Sequence, residues 1–167
     1  ETNMDIIKQT AYSVEPERKG PLLRHLIASE DFKQVLVFTS STFKADNVAA
    51  KLRKNNIQAT AIHSKKSQGA RTAALRKFKE GTLRVLVTTD LLARGIDIQF
   101  LPCVINFELP RSPKDFVHRI GRTGRAENPG IAITFFGEEE EHHFNVIQKK
   151  IKKIVEIKDG DKIVLSL

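Results

Sequence analysis

Hydrophobic residues in this chain gather in short runs, separated by longer stretches in which apolar positions recur every three or four residues. Runs such as Val35-Leu36-Val37-Phe38 and Val85-Leu86-Val87 lack polar alternation, the pattern of strands covered on both faces. Strands are predicted at Ile7–Val14, Gln34–Phe38, Ala59–Ile62, Val85–Thr88, Cys103–Phe107, Ile131–Phe136 and a terminal Lys162–Leu165. The amphipathic stretches between them predict helices near Pro16–Ala28, Phe43–Lys54, Gln68–Phe78, Pro113–Ile120 and Glu138–Lys150. Such alternation implies right-handed crossovers and an α/β fold: three layers, a mainly parallel sheet with helices on both faces. Ligands of these sheets meet the loops at the carboxyl ends of the strands. The polar clusters Thr39-Ser40-Ser41, His63–Arg71, Thr89–Asp97 and His118–Arg125 all follow a strand or sit in a loop.

With 167 residues and 40% hydrophobic content, the chain reads as one domain, residues 1–167, with a sizeable core. Its 28 lysines and arginines outnumber 20 acids, for a net charge of +8. That excess favours a polyanionic partner such as nucleic acid. No apolar run of about 18 residues occurs, so no membrane partner is expected, and the N-terminus shows no basic-then-apolar leader. Cys103 stands alone in an apolar run and reads as a small core hydrophobe, leaving no disulfide and no cysteine-based metal site. Absence of disulfides fits a cytoplasmic location. A first residue of Glu1 rather than methionine suggests a piece of something longer.

Charge changes the picture most in the eight residues His118-Arg119-Ile120-Gly121-Arg122-Thr123-Gly124-Arg125. Guanidinium is planar, permanently charged and forked, and it matches phosphate oxygens. Continued as a helix, the segment would place its arginines within a ~120° arc at ~100° per residue, with the glycines opposite. What the chain lacks is equally informative. Its nine glycines are followed by Pro, Ala, Thr, Ile, Arg, Arg, Ile, Glu and Asp. No Gly-Lys exists to build a phosphate loop, and no Asp-Glu pair follows a strand to hold Mg²⁺. The chain therefore reads as the arginine-donating side of a two-sided nucleotide site. An arginine finger contributes on the order of 10³–10⁵ in rate, and nothing without the opposite wall.

Together these segments resemble the second RecA-like domain of the DEAD-box RNA helicases, from about Ile7 to about Lys150. His118–Arg125 matches the family's motif VI without a change, and Thr88–Ile98 resembles motif V with its continuation. Gln68-Gly69-Ala70-Arg71 fits the Gln-x-x-Arg element, and Leu36–Ser41 is similar to motif IV. The pattern is closer to bacterial members of the RhlE type than to eukaryotic ones. The resemblance implies an ATP-dependent RNA helicase whose ATP and Mg²⁺ are bound mainly by an N-terminal domain that this chain lacks. It implies finger roles for Arg122 and Arg125, a ribose-binding Asp97, and a Gly95 that lets the backbone approach ATP. It assigns His118 and Arg119 to ties between the two domains.

On the RNA side, Gln68 and Arg71 lie three apart at a helix start and so face the same way. Ser41 and Thr89 end neighbouring strands, where their hydroxyls are able to reach successive phosphates. Such contacts position a strand without reading its bases, which predicts sequence-independent binding. Lys65 and Lys66 lie beside this row. Duller roles stand next to several assignments: Asp90 and Asp97 as turn caps, and Arg119 as an ion-pair partner of Asp115. Two departures from the family pattern stand out. His63 is followed by Ser64-Lys65 rather than glycine and an acid, and Ser40 occupies a position often held by Asn or Arg. Glu138–Glu141 with His142-His143 reads as a solvated helix start rather than a metal site, since adjacent histidines diverge on a helix. Two other classes fit the same residues: a non-catalytic RNA-binding module and a related DNA translocase domain. The sequence preceding this domain separates the first, and comparison of RNA with DNA the second.

Overall fold

Among the described residues, seven strands pair in parallel in the order β3-β4-β2-β5-β6-β1-β7. They are β1 (Ile7–Ser13), β2 (Val35–Phe38), β3 (Ala59–Ala61), β4 (Val85–Thr88), β5 (Cys103–Asn106), β6 (Gly130–Phe136) and β7 (Glu156–Asp159). Between them run α1 (Lys19–Ser29), α2 (Thr42–Lys54), α3 (Gln68–Glu80), α4 (Asp90–Ala93), α5 (Pro113–Ile120) and α6 (Glu141–Ile151). This computed structural model describes residues 4–165.

Consecutive strand residues feed different cores, which is why the central runs are apolar throughout. Val35 and Val37 pack with Leu22 and Leu26 of α1 and Val48 and Leu52 of α2. Leu36 and Phe38 enter the opposite core with Ala74 and Phe78 of α3 and Ala93 of α4. A third cluster on that second face joins Ala11 and Ala132 to Phe116 and Ile120 of α5 and Phe144 and Ile147 of α6. Full burial of each large apolar side chain contributes about 1.5–3 kcal/mol, so both layers hold the sheet in place. Serine hydroxyls start three helices: Ser41, Ser67 and Ser112 accept from the backbone N–H of Lys44, Ala70 and Asp115, each at 3.1 Å.

Most predicted elements form within a residue or two of their expected limits, and the last strand does not. Lys162–Leu165 is not a strand: Gly160–Lys162 is a single 3-10 turn, and the seventh strand is Glu156–Asp159. All four β7 residues are exposed, so no apolar alternation marked this edge strand. Backbone pairing with Thr10–Ser13 defines it instead. The four-residue α4 also lay below the reach of helical periodicity.

Candidate functional site

Loops leaving β2, β4 and β5 border a cleft of about 320 Å³ whose lining includes Ser40, Ser41, Ser64, Thr89, Arg94 and Arg111. Ser41 is exposed, and because its Oγ only accepts from Lys44 N at 3.1 Å, its proton remains available to an anion. Thr89 starts α4 from the end of β4 with its side chain in the same cleft. Ser40 is committed elsewhere: its N–H and its hydroxyl both donate to Glu108 Oε1 at 2.8 Å. Gln68 and Arg71 do face the same way, Arg71 Nη2 donating to Gln68 Oε1 at 2.9 Å. They stand at the start of α3, outside the cleft lining. Arg71 Nε is buried there without a partner.

The turn after His63 is held without glycine. His63 is 2% exposed, and its Nδ1 accepts from Lys65 N at 3.2 Å. The ring proton therefore sits on Nε2 and donates to Asp46 Oδ1 at 3.0 Å. Lys66 closes on the same carboxylate at 3.1 Å, so of the two lysines only Lys65 stays free of this pairing. The carboxyl of Asp46 is pushed up by desolvation, yet bonds from His63 and Lys66 outweigh this and hold it below its ordinary value.

The three arginines do not share a helical arc. α5 stops at Ile120, and the following chain is drawn into extended pairing in which Leu101 N donates to Arg122 O at 3.0 Å and Gly124 N to Leu101 O at 3.3 Å. Gly124 is required here: its φ is +80°, and a Cβ would meet Gly130 N at 2.9 Å. Each arginine thereby goes to a different destination. Arg119, 2% exposed, donates Nε and Nη2 to the two carboxylate oxygens of Asp90 at 2.7 and 2.8 Å. Its Nη1 donates to Glu108 O at 2.6 Å and Asn106 Oδ1 at 3.2 Å, and its guanidinium lies 5.0 Å from the Phe38 ring centre. The acid that Arg119 meets is Asp90, not Asp115, and its donors are taken up by groups of this domain. Asp115 pairs with Arg94 at 2.9 Å.

Arg122 is half-buried and donates to the backbone carbonyls of Ala93, Ile96 and Ile98. Desolvation pulls its pKa below the ordinary arginine value, and the charge of Asp97 opposes that shift. Its Nη groups thus fix the 93–98 loop, whereas Arg125 is exposed, 3.1 Å from Glu127 and 5.3 Å from the centre of the Phe100 ring. Asp97 and His118 are also exposed, with Gln99 Nε2 donating to Asp97 Oδ1 at 2.9 Å. At Gly95 an added Cβ would touch only Leu92 O at 3.6 Å, ordinary contact, so the fold itself does not demand glycine there.

A small second pocket takes in His118 and Arg122, and it shares Asp90, Arg94, Asp115 and Arg119 with the first cleft. The Asp90–Arg119 and Arg94–Asp115 pairs therefore form a common wall between the hydroxyl-lined cleft and the arginine segment. A larger cavity of about 430 Å³ between α1 and α2 gathers none of the candidate residues, so size does not decide the site. Sequence reasoning missed Asn106, Glu108 and Phe100 as supports of this region. Asn106 was visible as the one polar residue in the apolar Cys103–Phe107 run, whereas nothing in the local pattern flagged the other two.

With this geometry in hand, residues 18–127 match the model of the helicase conserved C-terminal domain. The chain belongs to that family, in its DEAD-box branch. Over 157 residues it is 39% identical to eukaryotic initiation factor 4A-1 of Arabidopsis thaliana, covering 93% of this chain and 38% of that protein. It is 37% identical to the ATP-dependent RNA helicase RhlB of Pseudomonas syringae, over 88% of this chain and 37% of the relative. The fold matches Saccharomyces cerevisiae Dbp5 bound to RNA and ADP BeF3 with a TM-score of 0.85 at 29% identity, covering 95% of this chain and 43% of that one. The chain thus spans roughly two-fifths of the curated relatives it matches. Identities of 39% and 37% to a plant and a bacterial protein do not single out the RhlE type.

Proposed function

We propose that this domain is the C-terminal motor half of an ATP-dependent RNA helicase, which couples ATP hydrolysis to local separation of RNA duplexes. ATP and Mg²⁺ are held mainly by a preceding RecA-like domain, and this domain completes the site. Arg125 neutralises charge on the transferring γ-phosphoryl group. Arg122 joins it once its Nη groups leave the carbonyls of the 93–98 loop. Asp97 accepts from the ribose, and the bare backbone at Gly95 lets the nucleotide approach. His118, exposed on the same side, meets the other domain. Ser41 and Thr89 donate to the RNA backbone, with Gln68 and Arg71 alongside.

One observation carries this reading. The cleft bearing Ser41 and Thr89 and the pocket bearing His118 and Arg122 share a wall of two ion pairs. The same four side chains line both recesses, which offers RNA and nucleotide a physical route to sense one another. Support for RNA comes from the fold match to Dbp5 bound to RNA. The test compares ATP turnover by this chain alone with that of the same chain joined to its phosphate-loop domain. Turnover that is confined to the joined protein and stimulated by RNA is the expected result. Turnover by the isolated chain would overturn the proposal.

A further inference from the structure

Phe100 combines three features that packing within the domain does not explain. It is 59% exposed, it adopts φ +61° although it is not glycine, and its ring carries the Arg125 guanidinium 5.3 Å from its centre. A bulky residue in the left-handed region is an outlier, and such strain persists where surrounding structure imposes it. The surroundings here are specific. Leu101, the next residue, is zipped to the arginine segment through Leu101 N to Arg122 O at 3.0 Å and Gly124 N to Leu101 O at 3.3 Å. On the other side of that segment, Arg125 and Asn128 exchange backbone hydrogen bonds of 3.0 and 2.9 Å. The backbones beneath Phe100 and Arg125 are thus fixed relative to each other, and the left-handed turn aims the ring at the arginine.

We infer that Phe100 is a positioning residue for Arg125, resting on the finger role proposed above. The face of the ring attracts the guanidinium, and Glu127 draws it from a second direction at 3.1 Å. Between them they restrain a side chain that is otherwise half open to solvent. A long arginine side chain free in water loses rotamer entropy when it docks on a phosphate. One already resting on an aromatic face loses less, so the ring contact raises the fraction of closed complexes in which the finger is engaged. Glu127 competes with phosphate for the guanidinium, whereas the ring leaves the in-plane N–H donors free to point at anionic oxygens. Phe100 therefore works with the bound triphosphate, and Glu127 against it.

The test uses the full-length protein carrying Phe100→Leu, Phe100→Tyr, Arg125→Ala or no change. Leucine keeps the Cβ, the apolar bulk and the left-handed strain but removes the aromatic face. Phe100→Leu is expected to lower kcat for RNA-stimulated ATP turnover about 2–5-fold, the size of an exposed cation–π contact. KM for ATP, nucleotide-free RNA affinity and Tm should stay unchanged, and Phe100→Tyr should restore kcat. A wild-type kcat in Phe100→Leu, or a loss that Tyr does not restore, overturns the inference. Arg125→Ala separates the two readings. If it retains turnover, the finger role fails. If it abolishes turnover while Phe100→Leu is silent, only the positioning role fails. As a readout independent of turnover, the Arg125 Nε–Hε NMR signal in this chain should lose its ring-current shift in Phe100→Leu and keep it in Phe100→Tyr. An unshifted signal in the wild-type chain also overturns the inference.

Discussion

Arg119 and Arg125 belong to one eight-residue segment, yet their environments are opposite. Arg119 is 2% exposed, with its donors spent on Asp90, Asn106 and the Glu108 carbonyl. Arg125 is exposed, with one carboxylate and one ring beside it. The first is scaffold: a charge taken from water must be matched donor by acceptor, and once matched it cannot serve a ligand. On the finger role proposed above, the second is reagent: one carboxylate and one ring leave part of its guanidinium to meet a ligand. Arg122 lies between the two, bonded to three carbonyls at the loop that bears Asp97. Position on a shared motif thus says little about role, and the acceptors each guanidinium meets say a great deal.

Four experiments bear on this contrast. The largest effect falls on Arg125. In the full-length protein Arg125→Ala should lower turnover by on the order of 10³-fold or more, with nucleotide-free RNA affinity unchanged by fluorescence anisotropy. A comparable loss of RNA affinity would erase the distinction between reagent and scaffold. Next, Arg119→Ala should destabilise this chain by about 3–5 kcal/mol in urea unfolding, because it strands Asp90 beside a buried gap. Replacing both partners, Arg119→Met with Asp90→Leu, should recover most of that loss. Failure to recover would mean that the pair does more than satisfy itself.

Smaller effects test the hydroxyl-lined cleft. Ser41→Ala should cost about 1 kcal/mol by removing the cap of α2, and it should weaken RNA binding equally across sequences. A sequence-dependent loss would show that the cleft reads bases. The last prediction concerns acid. Burial pushes the Asp115 carboxyl up, but bonds from Arg94 and Ser112 and the charge of Arg94 prevail and hold it below its ordinary value of 3.8. A depressed folded-state pKa contributes stability that is fully present above the unfolded pKa and lost as pH falls through the folded one. Stability should therefore decline below about pH 4. Asp115→Asn should flatten part of that decline by at most about 1 kcal/mol, since Arg94 is largely exposed. An acid limb identical in Asp115→Asn would remove this pair from the wall as an energetic element.

How much was legible beforehand differs by kind of element. The central strands announced themselves because both their faces are buried, and α5 did so through Ser112, Pro113 and its apolar stripe of Phe116 and Ile120. β7 did not, because an exposed edge strand carries no apolar signature and is defined by its neighbour's backbone. Ser41 and Thr89 were found from their places at strand ends, and the structure brings them to one cleft. Gln68 and Arg71 were seen as a pair but not as lying outside it. Asp90 was visible only as a possible cap, since no rule of spacing links it to Arg119, 29 residues away.

From its amino acids alone this chain was bound to form a parallel α/β sheet, to carry excess positive charge and to lack a phosphate loop. Those properties rest on local periodicity, composition and the absence of a short motif, none of which needs a third dimension. Which guanidinium is buried, which is tethered and which stands in solvent was decided by tertiary structure. The reason is physical: the fate of a charge depends on the acceptors that distant segments bring to it, and it is the folded sheet that brings Asp90, Leu101 and Phe100 to the arginine segment.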